Sequence, residues 1–195
     1  AKGFFEREEI KDILSFLKLK INPCSFFEFE RVLKLIPGVG KSKIEMLKEI
    51  SIKNKINILK SLDYVDKLKI NLETKDRLNN LKNILNDSKH NPIQLFLGLF
   101  DYYKGLEKRY YFDPEKVEDK RENINVLKEL IQDYDFSNEG VRDFLDSLIE
   151  IEKKEKDDNK VVLSTIHSAK GLEWKHVYLA GCNEHILPSY SGELT

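Results

Sequence analysis

Val161 to Trp174 read VVLSTIHSAKGLEW, and a second apolar stretch, HVYLAGC from His176 to Cys182, follows at once. Val161, Val162 and Leu163 are residue types that fill a short buried strand. The small and polar residues after them cannot continue it, and they read as a loop. The spacing therefore predicts strand, loop, strand, with Thr165, His167, Lys170, Gly171 and Glu173 on the loop. A loop that presents polar groups at the carboxyl edge of a sheet is where α/β proteins hold ligands. Taken singly, a histidine after a strand or a tryptophan such as Trp174 is more often a packed residue than a ligand contact.

Composition limits what this loop belongs to. The 195 residues are 41% hydrophobic, enough to bury a core in one ordinary domain or two small ones. Lys plus Arg number 33 and Asp plus Glu 34, so the net field gives no reason to expect nucleic acid, and any such binding must be local. No apolar run approaches the length of a membrane span and no signal-peptide layout opens the chain, which points away from a membrane and to the cytosol. Cys24 and Cys182 make no disulfide framework. The chain opens on a residue other than Met and closes on Gly-Glu-Leu-Thr with no helix cap or closing strand, as expected of a fragment.

Upstream of the loop the pattern is helical. Ile10, Ile13, Leu14 and Leu17 share one face, and Asn22-Pro23 ends that helix because a residue before proline is pushed out of the α region. Phe29, Val32, Leu33 and Ile36 mark a second helix that stops at Pro37-Gly38. Further helices are expected over Lys41 to Glu49 and Glu73 to Asn86, the latter with Leu78, Leu81 and Leu85 in register. Asn91-Pro92, Asp113-Pro114 and Ser137 read as three more helix starts. KKEKDDNK, Lys153 to Lys160, is an aperiodic charged linker or frayed helix end. If 1–21 and 160–195 belong to one α/β domain, the helical block 22–159 is an insertion within it. The expected fold is thus mainly α, an all-helical inserted subdomain flanked by pieces of an α/β domain.

Pro37-Gly38-Val39-Gly40-Lys41-Ser42 looks like the phosphate loop of an ATPase, G-x-x-x-x-G-K-[ST], yet its first glycine would fall on Leu35. The run before it also has helical, not strand, spacing. It reads better as the turn of a helix-hairpin-helix. Gly38 and Gly40 permit a tight turn and close backbone approach, the exposed N–H groups of the next helix face an anion, and Lys41 and Lys43 add charge beside them. Gly38, Val39, Gly40, Lys41, Ser42 and Lys43 are accordingly the expected DNA-binding residues, through contacts blind to sequence and sensitive to salt. The competing reading is a plain helix corner with a solvated lysine pair. For Tyr102, Tyr103, Tyr110 and Tyr111, beside Lys104, Lys108 and Arg109, stacking on bases is one reading, and closing the helical core is preferred.

Thr165, His167, Ala169, Lys170, Gly171, Leu172, Glu173 and Trp174 fill eight fixed positions of T-x-H-x-A-K-G-L-E-[WF] within ten residues. In this the stretch resembles motif V of superfamily 1 DNA helicases of the UvrD/PcrA/Rep type. Gly3 to Asp12 (GFFEREEIKD) resembles a segment of their second motor domain, and Arg121 to Leu130 (RENINVLKEL) a helix of their 2B subdomain. The resemblance implies that 22–159 is that 2B insertion, set in a RecA-like motor domain, with the glycine turn gripping duplex DNA. It implies that Thr165 and His167 lie against single-stranded DNA, with Lys170 organising the loop or touching phosphate. Gly171 and Glu173 would face the nucleotide, Glu173 accepting a hydrogen bond from the ribose. Such a loop senses ATP at one end and DNA at the other.

The resemblance also implies what the chain needs from elsewhere. ATP hydrolysis requires a phosphate loop, a carboxylate pair for Mg2+ and an arginine on the transferring phosphoryl group, and the sequence contains none of these. The fragment alone is expected neither to hydrolyse ATP nor to unwind DNA. Its parent, a 3′-to-5′ helicase of the bacterial cytosol and nucleoid, is expected to do both with a first motor domain in the same polypeptide and repair or replication proteins as partners. Cys182 to Pro188 departs from the family by placing His185 where a glycine is usual. A zinc site from Cys182, His185, His176 and His167 matches no standard ligand spacing. Three other readings stand beside this one: a non-enzymatic helix-hairpin-helix DNA-binding protein, a helical docking or autoinhibitory module, and a nuclease-helicase of the AddA/RecB type.

Overall fold

The computed structural model describes residues 3–155, 161–166 and 169–182. The chain divides into two units, 2–157 and 158–195 with residue 1.

All the regular structure among the described residues of the first unit is helical. A 3-10 turn, Phe4–Glu6, leads into α1 (Glu8–Ile21), α2 (Phe26–Leu33) and α3 (Lys41–Asn54). A kinked 3-10 segment, Ile58–Lys67, is followed by α4 (Leu72–Leu85), α5 (Pro92–Leu99), α6 (Tyr102–Arg109), α7 (Pro114–Ile131) and α8 (Asn138–Glu155). The predicted starts hold for physical reasons that can be read bond by bond. Asn91 Oδ1 accepts from the N–H groups of Ile93 and Gln94, Asp113 from Lys116, and the Ser137 hydroxyl from Gly140. Each satisfies backbone donors that a helix start leaves without partners.

α1 is the centre of this unit and packs against α2, α5, α7 and α8. Ile10, Ile13, Phe16, Leu17 and Leu19 are all buried, so the helix is apolar over most of its circumference. Its buried polar residues must then be paired, because an isolated charge in such surroundings is costly. Asp12 receives the Tyr102 hydroxyl at 2.6 Å and the Arg31 guanidinium at 2.8 Å. Glu9 is held by Lys120 at 2.5 Å and by Asn123 at 2.7 Å, and Lys20 donates to the carbonyls of Leu85 and Asp87. Around α1, Phe96 joins Phe16, Phe100 and Tyr102 in one aromatic cluster.

Two expected helix ends are revised, and the tyrosine reading holds in part. The second helix ends at Leu33, and Ile36 is buried outside it, in a turn closed by Leu35 and Ile36 N–H groups on the carbonyls of Val32 and Leu33. α3 runs to Asn54, five residues past the expected end, because Lys55 stops it in the left-handed region without a glycine. Tyr102 closes the core as expected, Tyr103 and Tyr110 pack partly against it, and Tyr111 is exposed.

In the second unit the described residues form turns and irregular chain with no β-strand, although Val161–Leu163 and His176–Cys182 have strand-forming residues. A strand exists only when a neighbour takes up its N–H and C=O groups. Val161, Leu163 and Tyr178 are more than nine-tenths exposed.

Candidate nucleic-acid interface

The glycine turn is built in three layers. Ile36 and Val39 are buried and anchor its two ends in the core, while Pro37, Gly38 and Gly40 between and after them stay exposed. The Val39 N–H donates to the Ile36 carbonyl at 3.1 Å, closing a four-residue turn with Pro37 and Gly38 at its centre. Gly38 has φ of +85°, which together with Pro37 is the signature of a type II turn. A Cβ on Gly38 would also lie 2.7 Å from the Thr74 hydroxyl oxygen.

Gly40 works differently. It is the N-cap of α3 in extended conformation, and a Cβ there would meet no atom within 4 Å. What it contributes is the lack of a capping side chain. Its carbonyl takes the N–H groups of Lys43 and Ile44, while those of Lys41 and Ser42, on exposed residues, have no intrahelical acceptor. These donors and the positive end of the helix dipole face outward together.

The charge around the turn is positive in balance. Lys34 hydrogen-bonds Glu30 at 2.6 Å and holds its carboxyl below the usual range, and Lys48 and Lys41 add to this. The neighbouring ion pairs, Lys34–Glu30 and Lys48–Glu45, leave Lys41 and Lys43 out. The structure therefore brings Gly38, Val39, Gly40, Lys41, Ser42 and Lys43 onto one turn and helix start, with Val39 turned inward as an anchor.

Thr74 is the residue that sequence reasoning missed. It sits at the start of α4, 3% exposed, with its N–H on Asn71 Oδ1 at 2.8 Å and its hydroxyl donating to the Pro37 carbonyl at 2.9 Å. No local pattern could have paired positions 37 residues apart.

In the second unit, the Ala169 N–H donates to the Thr165 carbonyl at 2.9 Å and the Leu172 N–H to the Ala169 carbonyl at 3.0 Å. Gly171 has φ of +84° in open space, so the backbone angle alone requires glycine there. Thr165, Lys170 and Gly171 lie on exposed positions of this double turn, and Glu173, also exposed, follows it. His167 lies outside the described residues, as does His185. The described residues offer a nucleotide no phosphate loop on a strand, since Pro37 to Ser42 joins two helices.

The carboxylates near the start of α1 take no part in either loop. Burial pushes the Asp12 carboxyl above its ordinary value, against the opposing pull of the Tyr102 hydroxyl and Arg31. Burial works against the ionised form of Glu9 as well, yet the bonds from Lys120 and Asn123 outweigh it and its pKa is lowered. These groups join α1 to α2, α6 and α7.

The UvrD-like helicase C-terminal domain model matches residues 1–194. The chain belongs to that family. It is 31% identical over 218 residues to the ATP-dependent DNA helicase Rep of Buchnera aphidicola subsp. Schizaphis graminum, covering 96% of this chain and 32% of that protein. It is 31% identical to the ATP-dependent DNA helicase srs2 of Schizosaccharomyces pombe, over 95% of this chain and 24% of that one. The ATP-dependent DNA helicase PcrA of Staphylococcus aureus is 25% identical, over 96% and 27%. The chain spans at most about a third of the length of these relatives.

Proposed function

We propose that the chain is part of an ATP-dependent DNA helicase, in which residues 22–159 grip duplex DNA and 160–195 couple nucleotide to single-stranded DNA. The observation that carries this reading is the α2–α3 turn, where exposed backbone donors, a helix start without a capping side chain and two lysines outside the neighbouring ion pairs converge. Contacts of this kind bind phosphate without reading bases, which suits an enzyme that moves along any sequence.

Residues 1–21 and 160–195 would be pieces of the second motor domain. α1, packed against four helices, would then be the element through which that domain holds the insertion. The exposed apolar flanks of the Thr165–Glu173 loop would be buried as strands by the rest of the motor sheet. On that sheet Thr165, His167 and Lys170 would face single-stranded DNA, and Gly171 and Glu173 the nucleotide. ATP and Mg2+ would be held mainly by other parts of the polypeptide, the first motor domain among them, so turnover belongs to the whole protein. The setting would be repair or replication in the bacterial cytosol.

Fluorescence anisotropy on a duplex with a 3′ single-stranded tail, at low and moderate salt, tests the grip. The unmutated chain should bind with marked salt sensitivity, and Gly38→Ala/Gly40→Ala should lose it. Gly40→Asp is the sharper variant: it caps α3, changing stability by only about a few tenths of a kcal/mol, while filling the anion position with a carboxylate. A folded Gly40→Asp protein that binds as well as the original would remove the turn from the interface. Absence of binding at low salt would favour a protein-docking role for the helical block.

A further inference from the structure

We infer that Thr74 is a positioning residue for the glycine turn, holding the Pro37–Gly38 peptide in the orientation that turns the Gly38 N–H outward as a phosphate donor. This rests on the proposed duplex-gripping role of that turn.

The central peptide of a four-residue turn can stand in two orientations, and the choice separates type I from type II. With φ of +85° at Gly38, this one stands as type II. The C=O and N–H of a trans peptide point in opposite directions. Proline has no N–H, so the donor of this peptide is that of Gly38. The Thr74 hydroxyl takes the Pro37 carbonyl at 2.9 Å, from the inner side where α4 begins. The Gly38 N–H is therefore directed away from α4, on an exposed residue. If the peptide turned over, the N–H would face inward and a carbonyl oxygen would stand where a phosphate is to come. That oxygen would repel the anion.

Thr74 is itself well fixed for this task. Asn71 caps α4 through the Thr74 N–H at 2.8 Å, and the side chain is buried, so the hydroxyl competes with no water. The same contact explains why position 38 tolerates no side chain: a Cβ would displace the hydroxyl it depends on. Gly38 fits because it permits the angle, and Thr74 selects it.

The test compares the 195-residue chain with Thr74→Val and Thr74→Ser. Val keeps the shape and loses the hydroxyl, and Ser keeps the hydroxyl. NMR coupling constants report φ at Gly38 without DNA, and anisotropy on the tailed duplex reports affinity. Thr74→Val is expected to shift the Gly38 amide, move its φ to negative values and weaken binding by about tenfold, the worth of one hydrogen bond. Thr74→Ser is expected to behave as the original. An unchanged φ at Gly38 in Thr74→Val would overturn the inference, as would a changed φ with unchanged affinity, or a serine variant no better than valine. If the original and Gly40→Asp bind DNA equally, the duplex-gripping reading fails and this inference with it, but that failure is recognised by Gly40→Asp, whereas the Thr74 variants decide the turn-locking step.

Discussion

Asp87 shows how a half-buried carboxylate can be held by local geometry. It accepts from the backbone N–H of His90, from the His90 ring at 2.9 Å and from the Lys89 N–H, and these bonds lower its pKa from 3.8 to about 2. Because the folded value is the lower one, the turn gains stability above the unfolded value of 3.8 and loses it as pH falls through about 2. Side-chain NMR titration should place the Asp87 midpoint at about 2. A midpoint near 3.8 would mean that the turn does not hold the carboxylate. Asp12 has the opposite sign: its raised value makes ionisation unfavourable in the fold, so its contribution is present at low pH and declines as pH rises through the folded value. The Asp12 pairing was not legible from the sequence, because Asp12 finds Tyr102 90 positions away and Arg31 on another helix.

Helix starts and helix ends differ sharply in how far residue patterns reveal them. Starts carry a side-chain signal: Asn91-Pro92, Asp113-Pro114 and Ser137 all begin helices as their capping chemistry requires. Ends and breaks made by backbone angle alone carry none. α3 closes with Lys55 at φ of 53° and the Ile56 N–H on the Ser51 carbonyl, a turn normally marked by glycine. Asp101, at φ of 45°, separates α5 from α6 in the same unsigned way, and neither α6 nor the 3-10 segment was anticipated. A non-glycine residue in this region costs about 1–2 kcal/mol, so Lys55→Gly should raise the unfolding free energy by about 1 kcal/mol. Chemical denaturation measures it. A loss of stability would show that the left-handed turn at Lys55 is not part of the fold.

At the scale of the whole molecule, the family and the helical class were visible in the sequence, while the strand-loop-strand was not realised among the described residues. The reason lies in the two kinds of element. A helix satisfies its backbone from its own chain, so every helix except α6 follows from local pattern plus one shared core. A strand draws its partners from elsewhere in the chain, and Val161 to Leu163 have the composition of a strand without its pairing. The glycine turn falls between these cases. Its composition pointed to phosphate, yet its layering was not readable: Gly38 is fixed by angle and by Thr74, Gly40 by the side chain it does not have, and Val39 is an inward anchor.

The central claim is that backbone donors of the α2–α3 turn hold DNA phosphate. Amide NMR of the chain titrated with a short duplex tests this residue by residue. The largest shifts are expected at Gly38, Gly40, Lys41 and Ser42, fading as salt is raised. Shifts that gather on another surface, or spectra that duplex leaves unchanged at low salt, would contradict it.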